Sequence, residues 1–135
     1  MTRAGTFAAL LQLIGAALFL ATVSVGTAAA KGNSAVVIEE MAFVALDSLP
    51  EEARFVYARI RAGGPFKYAR DGVVFRNREG LLPAGNKGYY HEYTVHTPGA
   101  KNRGARRIIC GGPSKSPEVC FYTSDHYQSF KRIRE

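Results

Sequence analysis

At Gly63-Gly64-Pro65 the hydrophobic pattern of this chain changes its period from 3.6 residues to 2, which limits the folds open to it. Before the break, Ser48 to Arg61 reads as one helix. Leu49, Ala53, Val56 and Ile60 fall on one stripe, while Glu52, Arg54, Arg59 and Arg61 mostly face away from it. Ser48 is expected to cap this helix, with Glu51 returning the bond as a capping box, and Pro50 fits the first turn. After the break, Tyr89 to Thr97 (YYHEYTVHT) is aromatic and β-branched, and it stops at the turn pair Pro98-Gly99. Arg106 to Cys110 and Val119 to Thr123 read as two further strands, joined by the turn-rich loop Gly111 to Glu118. One helix followed by several antiparallel strands is an α+β arrangement.

With 135 residues, one domain is the default, and 47% hydrophobic residues can supply its core. The first thirty residues stand apart. Phe7 to Gly26 carries no charge, follows Arg3, and ends in the small residues Thr27-Ala28-Ala29-Ala30. Residues 1–30 are therefore expected to be a secretory signal, and 31–135 the mature domain. The alternative is a retained membrane anchor, since a run of about 20 apolar residues can span a bilayer. Without the leader the chain keeps a net charge of +6, and residues 81–135 hold 9 basic against 4 acidic side chains. That half carries the field that attracts a polyanion.

Cys110 and Cys120 flank the Gly111–Glu118 loop. They are too few for a disulfide framework or a four-cysteine zinc site. Outside the cytoplasm a bond between them is favoured, adding roughly 2.5–3 kcal/mol by loop-closure entropy. A catalytic or metal-binding pair is the alternative.

Glu92 stands mid-strand, sharing a face with Tyr90 and Thr94 by alternation. A carboxylate there needs a partner or a task, and an ion pair with a neighbouring arginine is the plain reading. Arg103, Arg106 and Arg107 fall within five residues, with Arg107 and Ile109 on one face of their strand. His126 and Tyr127 follow the third strand. A carboxylate, two guanidiniums, an imidazole and a phenol could thus share one cleft. Such a set suits metal-free cleavage of a phosphodiester whose own 2′-hydroxyl attacks. The carboxylate takes a proton, the imidazolium returns one, and the guanidiniums hold the growing charge.

A second group is Val73-Val74-Phe75-Arg76-Asn77-Arg78-Glu79. Phe75 offers a stacking face. Glu79 could accept bonds from guanine's N1–H and exocyclic amine while backbone N–H groups at 76–78 donate to its carbonyl. A polar turn after a strand accounts for the same pattern.

Three blocks then carry a resemblance: GPFKYARDGVVFRNREGLLP from Gly64, YYHEYTVHTPGAKNRGARRII from Tyr89 and TSDHYQSFKRI from Thr123. Together they make the chain, from about Leu49 to Ile133, closely similar to the microbial guanyl-specific ribonucleases, the barnase and Streptomyces ribonuclease Sa group. The resemblance implies a helix packed on a twisted antiparallel sheet. It implies Glu92 as general base, His126 as general acid, Arg103 and Arg107 on the phosphate, and Tyr127 beside the acid. Val73, Phe75, Arg76, Asn77, Arg78 and Glu79 fall on the guanine loop, with Glu79 reading the base. A 2′,3′-cyclic phosphate forms and is then hydrolysed to a 3′-phosphate.

The expected partner is single-stranded RNA, with no metal or cofactor, no membrane once the leader is removed, and a monomeric enzyme. A barstar-like protein inhibitor is a family-level expectation. Three features depart from the family. Arg76 stands where relatives carry glutamine or serine, the cysteines are not those that join the termini in ribonuclease Sa, and His96 has no assigned role. His91 alternates onto the face opposite Glu92 and reads as structural. The competing functions are a ribonuclease toxin delivered to other cells and a non-catalytic cationic RNA-binding protein of the same fold.

Overall fold

A computed structural model describes residues 41–135. The expected signal and the first residues after it lie outside the described residues. Among the described residues, no helix is long and apolar enough to cross a membrane.

The chain starts with strand β1 (Phe43–Ala45), then a 3-10 turn at Leu46–Ser48 and helix α1 (Glu51–Ala62). Strands β2 (Val73–Val74), β3 (Tyr90–Thr94), β4 (Arg107–Gly111), β5 (Val119–Thr123) and β6 (Lys131–Arg134) follow. They form one six-stranded sheet in the order β1-β6-β5-β4-β3-β2. The run β2 to β6 is antiparallel, as expected, but β1 pairs parallel with β6, so the sheet is mixed. Strands β1, β2 and β6 are two to four residues long, too short for alternation to declare them.

The helix begins later than expected and without the capping box. Ser48 is used in the 3-10 turn and caps nothing. Pro50 occupies the cap position instead, and its carbonyl accepts the N–H groups of Ala53 (2.9 Å) and Arg54 (3.1 Å). Glu51 and Glu52 in the first turn oppose the positive end of the helix dipole. The far end follows the sequence reading: Gly63 takes φ 82°, a left-handed conformation that favours glycine, and the N–H of Gly64 donates to Arg59 O at 2.9 Å.

Leu49, Ala53, Tyr57 and Ile60 bury one stripe of α1 against Tyr93, Val95, Ile108, Cys110, Cys120 and Tyr122. Tyr57 takes the central place given to Val56 by pattern, and Val56 is only half-buried at its margin. These sheet residues alternate with a second set on the opposite face, where Leu82, Tyr90, Ile109, Phe121 and Phe130 make a smaller apolar cluster. Ile108 and Ile109 are both fully buried, so β4 is covered on both sides. Cys110 and Cys120 stand directly opposite each other in the β4–β5 register and are disulfide-bonded. The bond is a cross-strand tie on the helix-facing side, one residue pair inside the loop.

Candidate active site

On the face away from α1, the apolar cluster gives way to a polar one. Antiparallel register sets Glu92 opposite Ile109 and Thr94 opposite Arg107, which is in turn opposite Thr123. Because alternate residues share a face, Glu92, Thr94, Arg107 and Thr123 gather there, and all four are buried. Burying a carboxylate and a guanidinium is costly unless each is paired and hydrogen-bonded.

The pairing is extensive. Glu92 Oε2 accepts a hydrogen bond from the Tyr127 hydroxyl at 2.7 Å, and that hydroxyl accepts one from Arg107 Nε at 3.1 Å. Glu92 Oε1 faces two guanidiniums, Arg103 Nη2 at 3.3 Å and Arg70 Nε at 3.4 Å. Arg103 is further fixed by Nε and Nη2 bonds to Thr94 Oγ1, at 3.1 and 2.7 Å. Arg107 spends Nη1 on the carbonyls of Gly104 (2.9 Å) and Arg106 (2.8 Å). Its Nη2 makes no bond within the described residues. Burial, then the bond to Glu92, pushes the Tyr127 phenol above its usual pKa, so it stays protonated and continues to donate.

Segment 102–107 turns tightly here. Gly104 has φ 64°, and a side chain at this position would collide with Thr97. The turn shapes a cleft of about 540 Å³ lined by Asn102, Arg103, Gly104, Ala105, Arg107 and His126. His126 is exposed and reaches it through strained backbone: His126 has φ 56° and Tyr127 φ 70°. Left-handed conformations of this kind cost of the order of 1–3 kcal/mol each and persist only where neighbours enforce them. The neighbours here are Ala105, whose carbonyl accepts the His126 N–H at 3.1 Å, and Thr123, whose Oγ1 accepts the Tyr127 N–H at 3.3 Å. Asp125 completes the loop by accepting from Thr123 Oγ1 (2.8 Å), Ser129 N (2.9 Å) and Ser129 Oγ (2.6 Å). The Ser129 bonds hold its carboxyl down at a pKa of about 2.

The second predicted group surrounds a larger cleft of about 1020 Å³, bordered by Val74, Phe75, Arg76, Asn77, Gly80, Lys87 and Tyr90. Phe75, on the border of this cleft, stacks on Tyr127 at 5.4 Å between centroids and so touches the residue bonded to Glu92. Asn77, read as a base contact, is engaged otherwise. Its Oδ1 accepts the Leu82 N–H (3.0 Å) and its Nδ2 donates to Leu82 O (2.9 Å), bracing the loop at φ 48°. Val73 pairs with Glu92 in the β2–β3 register. Arg76, Arg78 and Glu79 are exposed, and neither Arg78 nor Glu79 borders the cleft itself. His91 is structural as read, with Nδ1 2.9 Å from the Gly72 carbonyl, and His96 is exposed.

Arg70 is the residue that sequence reasoning missed. It lies in a loop before a two-residue strand, 22 positions from Glu92, and periodicity says nothing about it. The one available signal was its place just upstream of the Val73–Glu79 group.

An α+β domain that buries one carboxylate among guanidiniums beside a cationic cleft is built to handle a phosphodiester. The chain belongs to the ribonuclease family, whose model matches residues 31–134. It is 56% identical over 90 residues to guanyl-specific ribonuclease Sa3 of Kitasatospora aureofaciens, a match covering 67% of this chain and 62% of that protein. To guanyl-specific ribonuclease Sa of the same organism it is 52% identical, over 67% of this chain and 91% of that one. A solved structure of ribonuclease Sa2 in complexes with mononucleotides aligns with TM-score 0.66 and 44% identity, covering 70% of this chain and 95% of the other.

Proposed function

We propose that this chain is a secreted, guanine-preferring endoribonuclease that cleaves single-stranded RNA on the 3′ side of G. The observation that carries this reading is the buried Glu92, held by Arg103 and Tyr127 beside the cleft that His126 borders. Glu92 accepts the proton of the 2′-hydroxyl as its oxygen bonds to phosphorus. His126 gives a proton to the departing 5′-oxygen as the P–O5′ bond breaks. The attacking oxygen is already in the substrate, so proximity supplies much of the acceleration.

Arg103 and the free Nη2 of Arg107 contribute donors to the phosphate oxygens where charge grows. Tyr127, bonded to both Glu92 and Arg107, keeps the carboxylate and that guanidinium in fixed relation. In the second step a water attacks the cyclic phosphate, and the acid and base exchange roles. Guanine is read at the 75–80 loop, with Phe75 on the base face and Glu79 on its N1–H and amine, a role supported by the names of the relatives.

Incubation with the dinucleotides GpN and ApN in EDTA tests this. Guanosine 2′,3′-cyclic phosphate from GpN, with little product from ApN, is the expected result; no product from either would sink the reading.

A further inference from the structure

Another cavity, of about 630 Å³, opens on the same sheet face as the catalytic cluster but at the other end of the strands. Tyr90, Gly111 and Val119 lie opposite one another at that end, while Thr94, Arg107 and Thr123 mark the catalytic one. Tyr90 and Phe121 give it an apolar floor. Its walls carry Tyr89, Asn86, Glu118 and Arg132, none of which the reaction above uses. The volume is in the range that holds a small ligand.

Tyr89 is built as a platform. A Cβ at Gly85 would come within 2.8 Å of its ring, and one at Gly111 would collide with it, so glycine lets two backbone segments close on the ring. The Tyr89 hydroxyl donates to Glu118 Oε2 at 2.8 Å, and the residue stays half-exposed at the cavity. Glu118 Oε1 has no hydrogen bond among the described residues and can accept one from an exocyclic amine. Arg132 stands on β6, across the floor from Tyr89, and is half-buried. Its guanidinium makes no hydrogen bond or ion pair among the described residues, and the Phe43 ring lies 5.9 Å from it. A fixed aromatic ring beside an unpaired guanidinium suits a base and its phosphate.

We propose that this cavity binds the nucleotide on the 5′ side of the guanosine, with its base on Tyr89 and its own 5′-phosphate on Arg132. The proposal rests on the reading of the 75–80 loop as the guanine site. Polarity follows from the sheet. The 3′-phosphate of G is placed at the Arg107 end and its base in the cleft bordered by Phe75 and Tyr90, which leaves the Tyr90 end to the 5′ side. Ala84, Gly85, Asn86 and Tyr90 border both that cleft and this cavity, so the two are contiguous. Arg132 forms the far wall, two strands beyond β4, where the next phosphate out would arrive. No bond changes in this cavity during cleavage. Binding there is equal in ground and transition states, so it lowers KM and leaves kcat little changed.

Steady-state cleavage of GpN, pGpN, ApGpN and pApGpN by the full chain, Tyr89→Leu and Arg132→Gln tests this. In wild type, ApGpN should show a KM about tenfold below that of GpN, with kcat within about twofold. The 5′-phosphate of pApGpN should lower KM about threefold more, as suits a partly hydrated ion pair. Tyr89→Leu, which keeps apolar bulk but loses the flat ring, should abolish the gain from the adenosine and cleave GpN as wild type does. Arg132→Gln should abolish only the gain from the phosphate of pApGpN. Its KM for pGpN, whose phosphate stops short of β6, should match wild type. Equal wild-type KM values for GpN and ApGpN would overturn the proposal, as would gains that survive in either variant. Should Tyr89→Leu fail to fold, the pApGpN comparison in Arg132→Gln still decides, since that side chain makes no bond whose loss would unfold the protein. A wild-type protein inactive on all four substrates would instead defeat the ribonuclease reading, and equal cleavage of GpN and ApN would defeat the guanine site.

Discussion

The carboxylate cluster and the 75–80 loop are neighbours built on opposite plans. The cluster is centred on a buried carboxylate, and its side chains are held by other strands and loops: Glu92 by Tyr127 from 35 residues away, Arg103 by Thr94. The loop is mostly exposed and holds itself, with Asn77 bonded to the backbone of Leu82 five residues on. Chemistry on a phosphate requires several groups fixed to within a fraction of an ångström, which a sheet provides. The base reading proposed for the loop would need a fixed backbone and one accessible carboxylate, and the braced loop with its exposed Glu79 offers both. Phe75, stacked on Tyr127, is the contact through which the two plans meet.

Substitutions should separate the two regions. The largest effects belong to the cluster: Glu92→Gln and His126→Ala should each lower kcat on GpN by about 10²–10⁴, with the fold checked by circular dichroism. Glu79→Ala should leave the cyclising chemistry in place and remove most of the preference for GpN over ApN. A GpN to ApN ratio equal to wild type would overturn the assignment of base reading to Glu79.

A smaller effect is expected from Asn77→Ala, which removes both bonds to Leu82 and places alanine at positive φ. It should reduce stability by about 1–2 kcal/mol in urea unfolding and blunt base preference more than kcat.

The smallest is a pH effect at Asp125. Its carboxyl is depressed to about 2 in the folded protein, against roughly 3.9 when unfolded. It therefore adds stability that is present above the unfolded value and lost as pH falls through the folded one. The Tm difference between wild type and Asp125→Asn should shrink steadily between about pH 4 and pH 2.

Much of the cluster could be read from sequence because a strand assigns faces by counting. Alternation alone put Glu92 and Thr94 on one side and His91 on the other. The bounds read for β5 are those observed. The helix stop at Gly63 was equally local, requiring only a residue free to adopt positive φ. The helix start was not, because Ser48 had a competing use in a 3-10 turn that only the path from β1 reveals.

Asn77 and Arg70 mark the limit more clearly. Both are polar residues near the predicted loop, yet one turned inward to brace backbone and the other reached across to a buried carboxylate. By itself, the sequence determined the α+β plan, the face shared by Glu92 and Thr94 and the break at Gly63, and it favoured the Cys110–Cys120 bond. Those are short-range matters of period, spacing and backbone freedom. Only the tertiary structure decided the parallel β1–β6 edge, the strained approach of His126 and the second cation on Glu92 Oε1. Each of these depends on groups brought together by the closing of the fold, and no local period encodes such distances.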